Sequence, residues 1–90
     1  MRITVVGQGY AGLTASVGLA AAGHTVIGIE RDVGRLRLLE SGASPLYEPG
    51  LQDVLTQVVS EERLTFASTM AEVPPPIDAV VIAVGSPPLP

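Results

Sequence analysis

Cysteine, lysine and tryptophan are absent from the chain, and aromatic residues make up only 3% of it. The lack of cysteine excludes disulfide bonds, thiolate metal sites and a cysteine nucleophile within these 90 residues. The five basic residues are all arginines and are outnumbered by nine acidic residues, which gives a net charge of −4. Nucleic acid needs a basic patch to neutralise its phosphates, so we expect no nucleic-acid partner.

Long apolar runs are also missing, because glycine and polar residues interrupt every apolar stretch well short of the ~20 residues that span a bilayer. The chain passes from Met1 and Arg2 directly into a run of strand type, without the regions of a signal peptide. We therefore expect a cytoplasmic protein with no membrane partner. The length suits one small domain, and we find no internal repeat.

The ten glycines include three that are spaced as Gly7, Gly9 and Gly12. They follow an apolar run at residues 3–6 and open an alanine- and leucine-rich stretch, so they lie where a strand turns into a helix. In that place Gly7 allows a tight turn, Gly9 lets the backbone approach a pyrophosphate, and Gly12 allows close packing of helix on strand. The helix N-terminus then offers unpaired N–H groups and a positive dipole end to phosphates.

An acidic residue at the end of the next strand supports the same dinucleotide site. Glu30 closes an apolar run at residues 25–29, at about the 20-residue spacing where a carboxylate accepts the ribose hydroxyls. A carboxylate there repels a 2′-phosphate and favours NAD over NADP. Arg31 and Arg35 weaken this argument, since a nearby arginine can accommodate that phosphate. Both arginines are equally compatible with a solvated surface.

Alternating strand and helix patterns predict an α/β fold, a Rossmann-like doubly wound parallel sheet with strand order 3-2-1-4. Strands are predicted at residues 3–6, 25–30, 63–67 and 79–84. The last is unbroken in its apolar character and is expected to be central and buried on both faces. A whole dinucleotide fold has six strands, so we expect residues 1–90 to be the N-terminal portion of a dinucleotide-binding domain.

Three helices are predicted between these strands. The first covers residues 10–22, with Gly23 after its end. Asp32 caps the second, which ends near Gly42. The third follows Gly50 with an apolar stripe at i, i+3, i+4, i+7 and i+8. Residues 68–73 have room for at most two further turns before three prolines.

Residues 1–31 resemble two families, the FAD-binding start of amine-oxidase-type flavoproteins and the N-terminus of the UDP-glucose/GDP-mannose dehydrogenases. Three later segments distinguish them. SGASPLYEPGL at residues 41–51, RLTF at 63–66 and DAVVIAVGSPP at 78–88 are similar to the SGxSPxYEPGL segment, third strand and DxxxIAVGTPP turn of the dehydrogenases. The flavoproteins have nothing like YEPGL or VGTPP at these spacings. The chain as a whole therefore resembles the dehydrogenases.

This resemblance implies NAD as the cofactor, so that residues 1–90 are expected to be the N-terminal portion of an NAD-binding Rossmann domain. It also implies that the parent enzyme oxidises the C6 alcohol of a UDP-sugar, UDP-glucose before the others, to a uronic acid through a cysteine thiohemiacetal. We expect no catalytic residue in this chain, and we expect the nucleotide sugar to bind later domains. The parent is expected to form a homo-oligomer, and the chain alone to self-associate through the open edge of its fourth strand.

The resemblance also assigns cofactor-binding roles residue by residue. Glu30 stands where the family usually has Asp at the adenosine ribose, Arg35 where it has Lys, and Ser86 where it has Thr beside the cofactor. Each difference keeps the chemical character of the side chain. The full implied set is Gly7, Gly9, Tyr10, Ala11, Gly12, Glu30, Arg35 and Ser86.

Simpler interpretations accompany several residues. Ser86 is also compatible with capping the segment after it, and Tyr47 and Glu48 are expected to position their loop and support the next helix. His24 is expected to be a turn residue on the side away from the cofactor. No His, Asp or Glu set has metal-ligand spacing. An FAD half-site and a non-catalytic nucleotide-sensing module are the alternatives to a dehydrogenase.

Overall fold

The computed structural model describes residues 1–84, in which strands and helices alternate as the sequence predicts. The helices and strands are β1 (Arg2–Val6), α1 (Tyr10–Ala21), β2 (Thr25–Ile29), α2 (Val33–Glu40), α3 (Leu51–Ser60), β3 (Leu64–Ala67) and β4 (Ala79–Ile82). A single short 3-10 helix, Met70–Glu72, lies between β3 and β4. Glu30 is the first residue after β2 rather than its last.

The four strands form one parallel sheet in the order β3-β2-β1-β4, which confirms the predicted topology. The register aligns Val6 at the end of β1 with Ile29 of β2 on one side and with Ile82 of β4 on the other. Ile29 is aligned in turn with Ala67 of β3. The segments that follow all four strands therefore meet at one edge of the sheet.

The core lies where α1 and α3 pack against each other and against the sheet. The predicted stripe of α3 supplies three buried side chains, Leu51, Leu55 and Val58. Leu55 is completely buried, and full burial of a leucine side chain stabilises a fold by about 1.5–3 kcal/mol. This packing holds α1 in place, and with it the loop that joins β1 to α1.

Local hydrogen bonds set the ends of the helices beside the sheet. Gly23 has a φ of +107°, and the N–H of His24 donates to Leu19 O at 3.1 Å, as in a Schellman motif. Asp32 caps α2, because its Oδ1 accepts the backbone N–H of Arg35 at 2.8 Å. This cap lies two residues after Glu30 and starts α2 at Val33, and so brings the Arg35 side chain back toward the end of β2.

The prediction of a central β4, buried on both faces, is wrong for the described residues. The strand ends at Ile82 and, among the strands of residues 1–84, pairs only with β1, at the edge of the sheet. Val80, Val81 and Ile82 are 46%, 36% and 67% exposed. An unbroken apolar run indicates that a strand can be buried on both faces, but it carries no information about which neighbours cover it.

Candidate functional site

The loop between β1 and α1 has the backbone shape that its glycines predict. Gly7 has a φ of +94°, and a Cβ there would lie 3.1 Å from Ala83 O and from a methyl carbon of Val84. A Cβ on Gly12 would overlap the carbonyl oxygen of Gly7. Both positions therefore require glycine, one for conformation and the other for the close approach of α1 to the turn.

Gly9 serves a different purpose, because it is the N-cap of α1 in an extended conformation. A Cβ on it would meet no atom of residues 1–84 within 4 Å apart from its own chain neighbours. Gly9 has no side chain with which to cap α1, and the first turn of the helix has no acidic residue. The free N–H groups and positive dipole end of the helix therefore suit an anionic group. Tyr10 and Ala11 occupy the exposed first turn beside Gly9.

An open cleft of about 560 Å³ lies at the edge where the strands end. The residues that line it end or follow each of the four strands in turn. They are Val6 at the end of β1 with Gly7, Gln8 and Gly9 after it, Ile29 at the end of β2 with Glu30 and Arg31 after it, Ser68, Thr69 and Met70 after β3, and Ala83 and Val84 after β4. Ligands of doubly wound sheets bind at this edge.

Glu30 and Arg35 form a partly buried ion pair beside this cleft. Arg35 Nε lies 3.2 Å from Glu30 Oε1, and the two side chains are 28% and 13% exposed. Arg35 also donates from Nε and Nη2 to the carbonyl oxygen of Gln8, at 3.0 and 2.7 Å. Glu30 Oε2 accepts the N–H of Asp32 at 3.0 Å. Arg35 is therefore tied to the glycine turn and to Glu30, whereas Arg31 stays exposed at the cleft.

Gln8 is a site residue that sequence reasoning missed. Its side chain is only 1% exposed and lies on the helix side of the sheet, against Gly28 of β2 and Ser16 of α1. The available signal was a long polar residue inside the glycine motif, with a glycine in the neighbouring strand. Without the register of β1 against β2, that signal had no interpretation.

Ser68, Thr69 and Met70 were also missed, although a parallel third strand predicts that its following residues reach the same edge. Glu72 holds this segment, because its carboxylate accepts hydrogen bonds from the Ser68 hydroxyl and from the N–H groups of Ser68 and Thr69. The Ser68 hydrogen bond lowers the pKa of Glu72 below its usual value. The 3-10 helix thus keeps Ser68 and Thr69 at the rim of the cleft.

The loop before α3 is attached to the first turn of α1. The Tyr10 hydroxyl donates to Glu48 Oε1 at 3.1 Å, and this hydrogen bond with the negative charge of Glu48 raises the pKa of Tyr10. The carbonyl oxygen of Glu48 accepts the N–H of Leu51, where α3 begins. Glu48 therefore supports the helix start as expected, while Tyr47 is fully exposed.

The remaining predicted positions lie away from the cleft or outside the described residues. His24 precedes β2 at the opposite end of the sheet, with Nδ1 3.2 Å from the N-terminal amine of Met1. Ser86 lies outside the described residues. Within residues 1–84 no group of three or more His, Asp or Glu side chains could hold a metal ion. No helix in this range is long and apolar enough to cross a membrane.

Comparison with known proteins identifies the family. Residues 1–89 match the sequence model of the UDP-glucose/GDP-mannose dehydrogenase family, NAD binding domain. The chain is 41% identical to the UDP-glucose 6-dehydrogenase of Pseudomonas aeruginosa over 87 residues, which are 97% of this chain and 19% of that protein.

Solved structures agree with this match. The GDP-mannose dehydrogenase of Pseudomonas aeruginosa, crystallised as a ternary complex, superposes with a TM-score of 0.90 at 36% identity, over 97% of this chain and 20% of that one. The UDP-N-acetyl-mannosamine dehydrogenase of Staphylococcus aureus gives 0.84 at 36% identity, over 93% and 19%. The chain thus spans about one fifth of the relatives that it matches. It belongs to the UDP-glucose/GDP-mannose dehydrogenase family and corresponds to that family's NAD-binding domain, as its later motifs indicated.

Proposed function

We propose that this chain binds the adenosine diphosphate half of NAD within a nucleotide-sugar 6-dehydrogenase. The observation that carries the proposal is the meeting of an uncapped helix N-terminus and a carboxylate in one cleft, at the carboxyl ends of parallel strands. The pyrophosphate is proposed to bind at the turn formed by Gly7, Gly9, Tyr10, Ala11 and Gly12, where Gly9 leaves room and the first turn of α1 supplies N–H donors. Ser86 is proposed to lie beside the cofactor, on the resemblance alone.

Glu30 is proposed to accept the hydroxyl groups of the adenosine ribose. An ionised carboxylate has about four acceptor positions, two on each oxygen. Arg35 faces Oε1 as an ion pair while its Nε hydrogen is donated to Gln8 O, and the N–H of Asp32 uses one position on Oε2. Both oxygens therefore keep acceptor positions for two neighbouring hydroxyls, and Arg35 holds the carboxylate in place beside the cleft.

The same arrangement favours NAD over NADP. A 2′-phosphate at this place would face the Glu30 carboxylate, and like charges in a partly buried site repel. Arg35 offers little compensation, because its guanidinium already pairs with Glu30 and with Gln8 O. Arg31 is the neighbouring cation on the cleft, but it is exposed and therefore screened by solvent.

The chemistry of the parent enzyme is proposed from the family. Bound NAD would supply the hydride acceptor for oxidation of the C6 alcohol of the sugar, and oxidation to the acid would require two NAD for each sugar. We propose UDP-glucose as the substrate, since the 41% identical relative carries that name, although relatives named for GDP-mannose and UDP-N-acetyl-mannosamine are similar too. The cytoplasmic location, the homo-oligomer and the self-association of the chain stay predictions.

Calorimetric titration of the chain with NAD, NADP and FAD tests the proposal. We expect NAD to bind at least tenfold more tightly than NADP, and FAD not to bind. Glu30→Gln should weaken NAD more than NADP, whereas His24→Gln, at the far end of the sheet, is the control and should change neither. Equal dissociation constants for NAD and NADP would remove the proposed preference, and binding of FAD alone would refute the function.

A further inference from the structure

The side chain of Gln8 occupies the space that a side chain at position 28 would need. A Cβ on Gly28 would lie 2.7, 2.8 and 2.9 Å from Cδ, Oε1 and Nε2 of Gln8. Gly28 is aligned with Val5 in the sheet, so the Gln8 amide lies over β2 just before that strand ends at the cleft. The Gln8 amide therefore leaves no space for even a methyl group on residue 28.

Three hydrogen bonds hold this buried amide in place. Gln8 Nε2 donates to Val5 O at 3.0 Å and to Gly7 O at 3.1 Å, while Oε1 accepts the hydroxyl of Ser16 at 3.0 Å. They connect the end of β1, the glycine turn and the second turn of α1. A buried amide that loses such partners is costly, so the side chain cannot move aside freely.

The main chain of Gln8 is connected to the part of the cleft that follows β2, where Glu30 lies. Gln8 O accepts both hydrogen bonds of the Arg35 guanidinium, and Arg35 is paired with Glu30. A shift of Gln8 would therefore move the carbonyl that orients Arg35, as well as the turn itself. Through one residue, the glycine turn and the carboxylate after β2 are held at a fixed separation.

We propose that Gln8 is a positioning residue for the pyrophosphate-binding turn, and that position 28 requires glycine because Gln8 fills its side-chain space. The binding half of this proposal rests on the proposed function. The steric half does not, because it concerns only how two residues of the chain pack. The two halves are tested by separate measurements, so that the failure of one is distinguishable from the failure of the other.

A double-mutant cycle on thermal unfolding tests the steric half. Gly28→Ala alone should lower the midpoint temperature clearly, since the new methyl group displaces the Gln8 amide from its partners. In the Gln8→Ala background the space is empty, and the same Gly28→Ala change should have little further effect or raise the midpoint. An equal loss in both backgrounds would overturn the steric proposal, and a chain that unfolds with Gly28→Ala but refolds in the double variant supports it.

Ligand titration of Gln8→Met tests the binding half, because methionine keeps the volume and loses all three hydrogen bonds. We expect NAD and ADP to bind on the order of tenfold more weakly, equivalent to about 1.4 kcal/mol, while adenosine, which lacks the pyrophosphate, changes less than about twofold. Val58→Ala, a core change in α3 away from the cleft, is the matched control. It should lower stability without weakening NAD and ADP binding relative to adenosine binding. Equal weakening of NAD, ADP and adenosine, or unchanged NAD binding, would refute the positioning role.

These experiments distinguish failure of the proposed function from failure of the proposal about Gln8 and Gly28. If the unaltered chain bound no NAD under conditions where it is folded, the proposed function would fail and the positioning role with it. The unfolding cycle on Gln8 and Gly28 would still report whether the two residues interlock. If the unaltered chain bound NAD but the two changes were additive in the cycle, the proposed function would stand. The proposal that Gln8 fills the side-chain space of residue 28 would be rejected.

Discussion

Replacing Arg35 by methionine removes the guanidinium that joins α2 to both halves of the cleft, while keeping most of the aliphatic stem. The change breaks the 3.2 Å ion pair with Glu30 and two hydrogen bonds to Gln8 O. It leaves the Asp32 cap in place, because that bond uses the backbone N–H of residue 35. The loss is therefore confined to the side-chain contacts at the cleft.

The expected magnitude follows from the exposure of these groups. Hydrogen bonds to a charged group contribute about 1.5–3 kcal/mol when buried, but water can replace part of a contact that is 28% exposed. We therefore expect a loss of about 1–2 kcal/mol in the free energy of unfolding. For a domain of this size that loss corresponds to a fall of about 5–15 °C in the midpoint of thermal unfolding. NAD affinity should fall by about fivefold or more, because Glu30 loses the partner that orients it.

Calorimetry and NAD titration measure the two effects side by side. Arg35→Lys keeps the charge but lacks the planar fork, so it should recover part of the affinity and little of the stability. Arg37→Met, at an exposed position of the same helix, is the matched control and should change both quantities only slightly. An Arg35→Met chain with unchanged midpoint and NAD affinity would refute the argument that this guanidinium holds the cleft together.

Three further predictions concern the support of the cleft. Leu55→Ala should cost about 2–5 kcal/mol in chemical denaturation, because it opens a cavity between α1 and α3, and a loss below 1 kcal/mol would contradict the packing described. Because the pKa of Glu72 is lowered, its hydrogen bonds to Ser68 and Thr69 should persist above the usual glutamate range and be lost only as pH falls through the lowered pKa. Amide chemical shifts of Ser68 and Thr69 should follow this titration, and Glu72→Gln should abolish it. Tyr10→Phe should accelerate hydrogen exchange in residues 43–50 with little change in global stability, since the pair with Glu48 is exposed, and unaltered exchange would exclude the attachment.

The elements and the glycine turn were predictable because each depends on local chemistry. The stripe of α3, the Asp32 cap and the glycine after α1 are set by residues close together in the chain. Gly7 and Gly12 are likewise dictated by one short turn, whose backbone leaves no room for a Cβ at residue 12. For such features the spacing of residue types is sufficient evidence.

The features that escaped prediction depend on the alignment of distant segments. Burial of Gln8 follows from the position of Gly28 in the neighbouring strand, and the exposure of β4 follows from its place at the edge of the sheet. From the sequence, Arg35 was equally compatible with a cofactor-binding role and with a solvated surface. Its position at the cleft depends on the Asp32 cap, which starts α2, and on the carbonyl oxygen of Gln8, which accepts from its guanidinium. Long polar side chains are the hardest group to place, because their partners are often backbone atoms that carry no sequence signal.

The same alignment couples the two binding functions proposed for the cleft. The turn that receives the pyrophosphate and the carboxylate that receives the ribose share no covalent neighbour, yet Gln8 O and the Arg35 guanidinium connect them directly. Residues in one hydrogen-bond network do not contribute independently, so changes at Gln8 and Arg35 should be less than additive in NAD affinity. Loss of the Arg35 guanidinium removes the link at Gln8 O, and loss of the Gln8 amide loosens the turn that carries this carbonyl, so the second change has less left to remove. Cofactor binding at this edge of the sheet then depends on the whole hydrogen-bond network, of which the sequence pattern reveals only the three glycines.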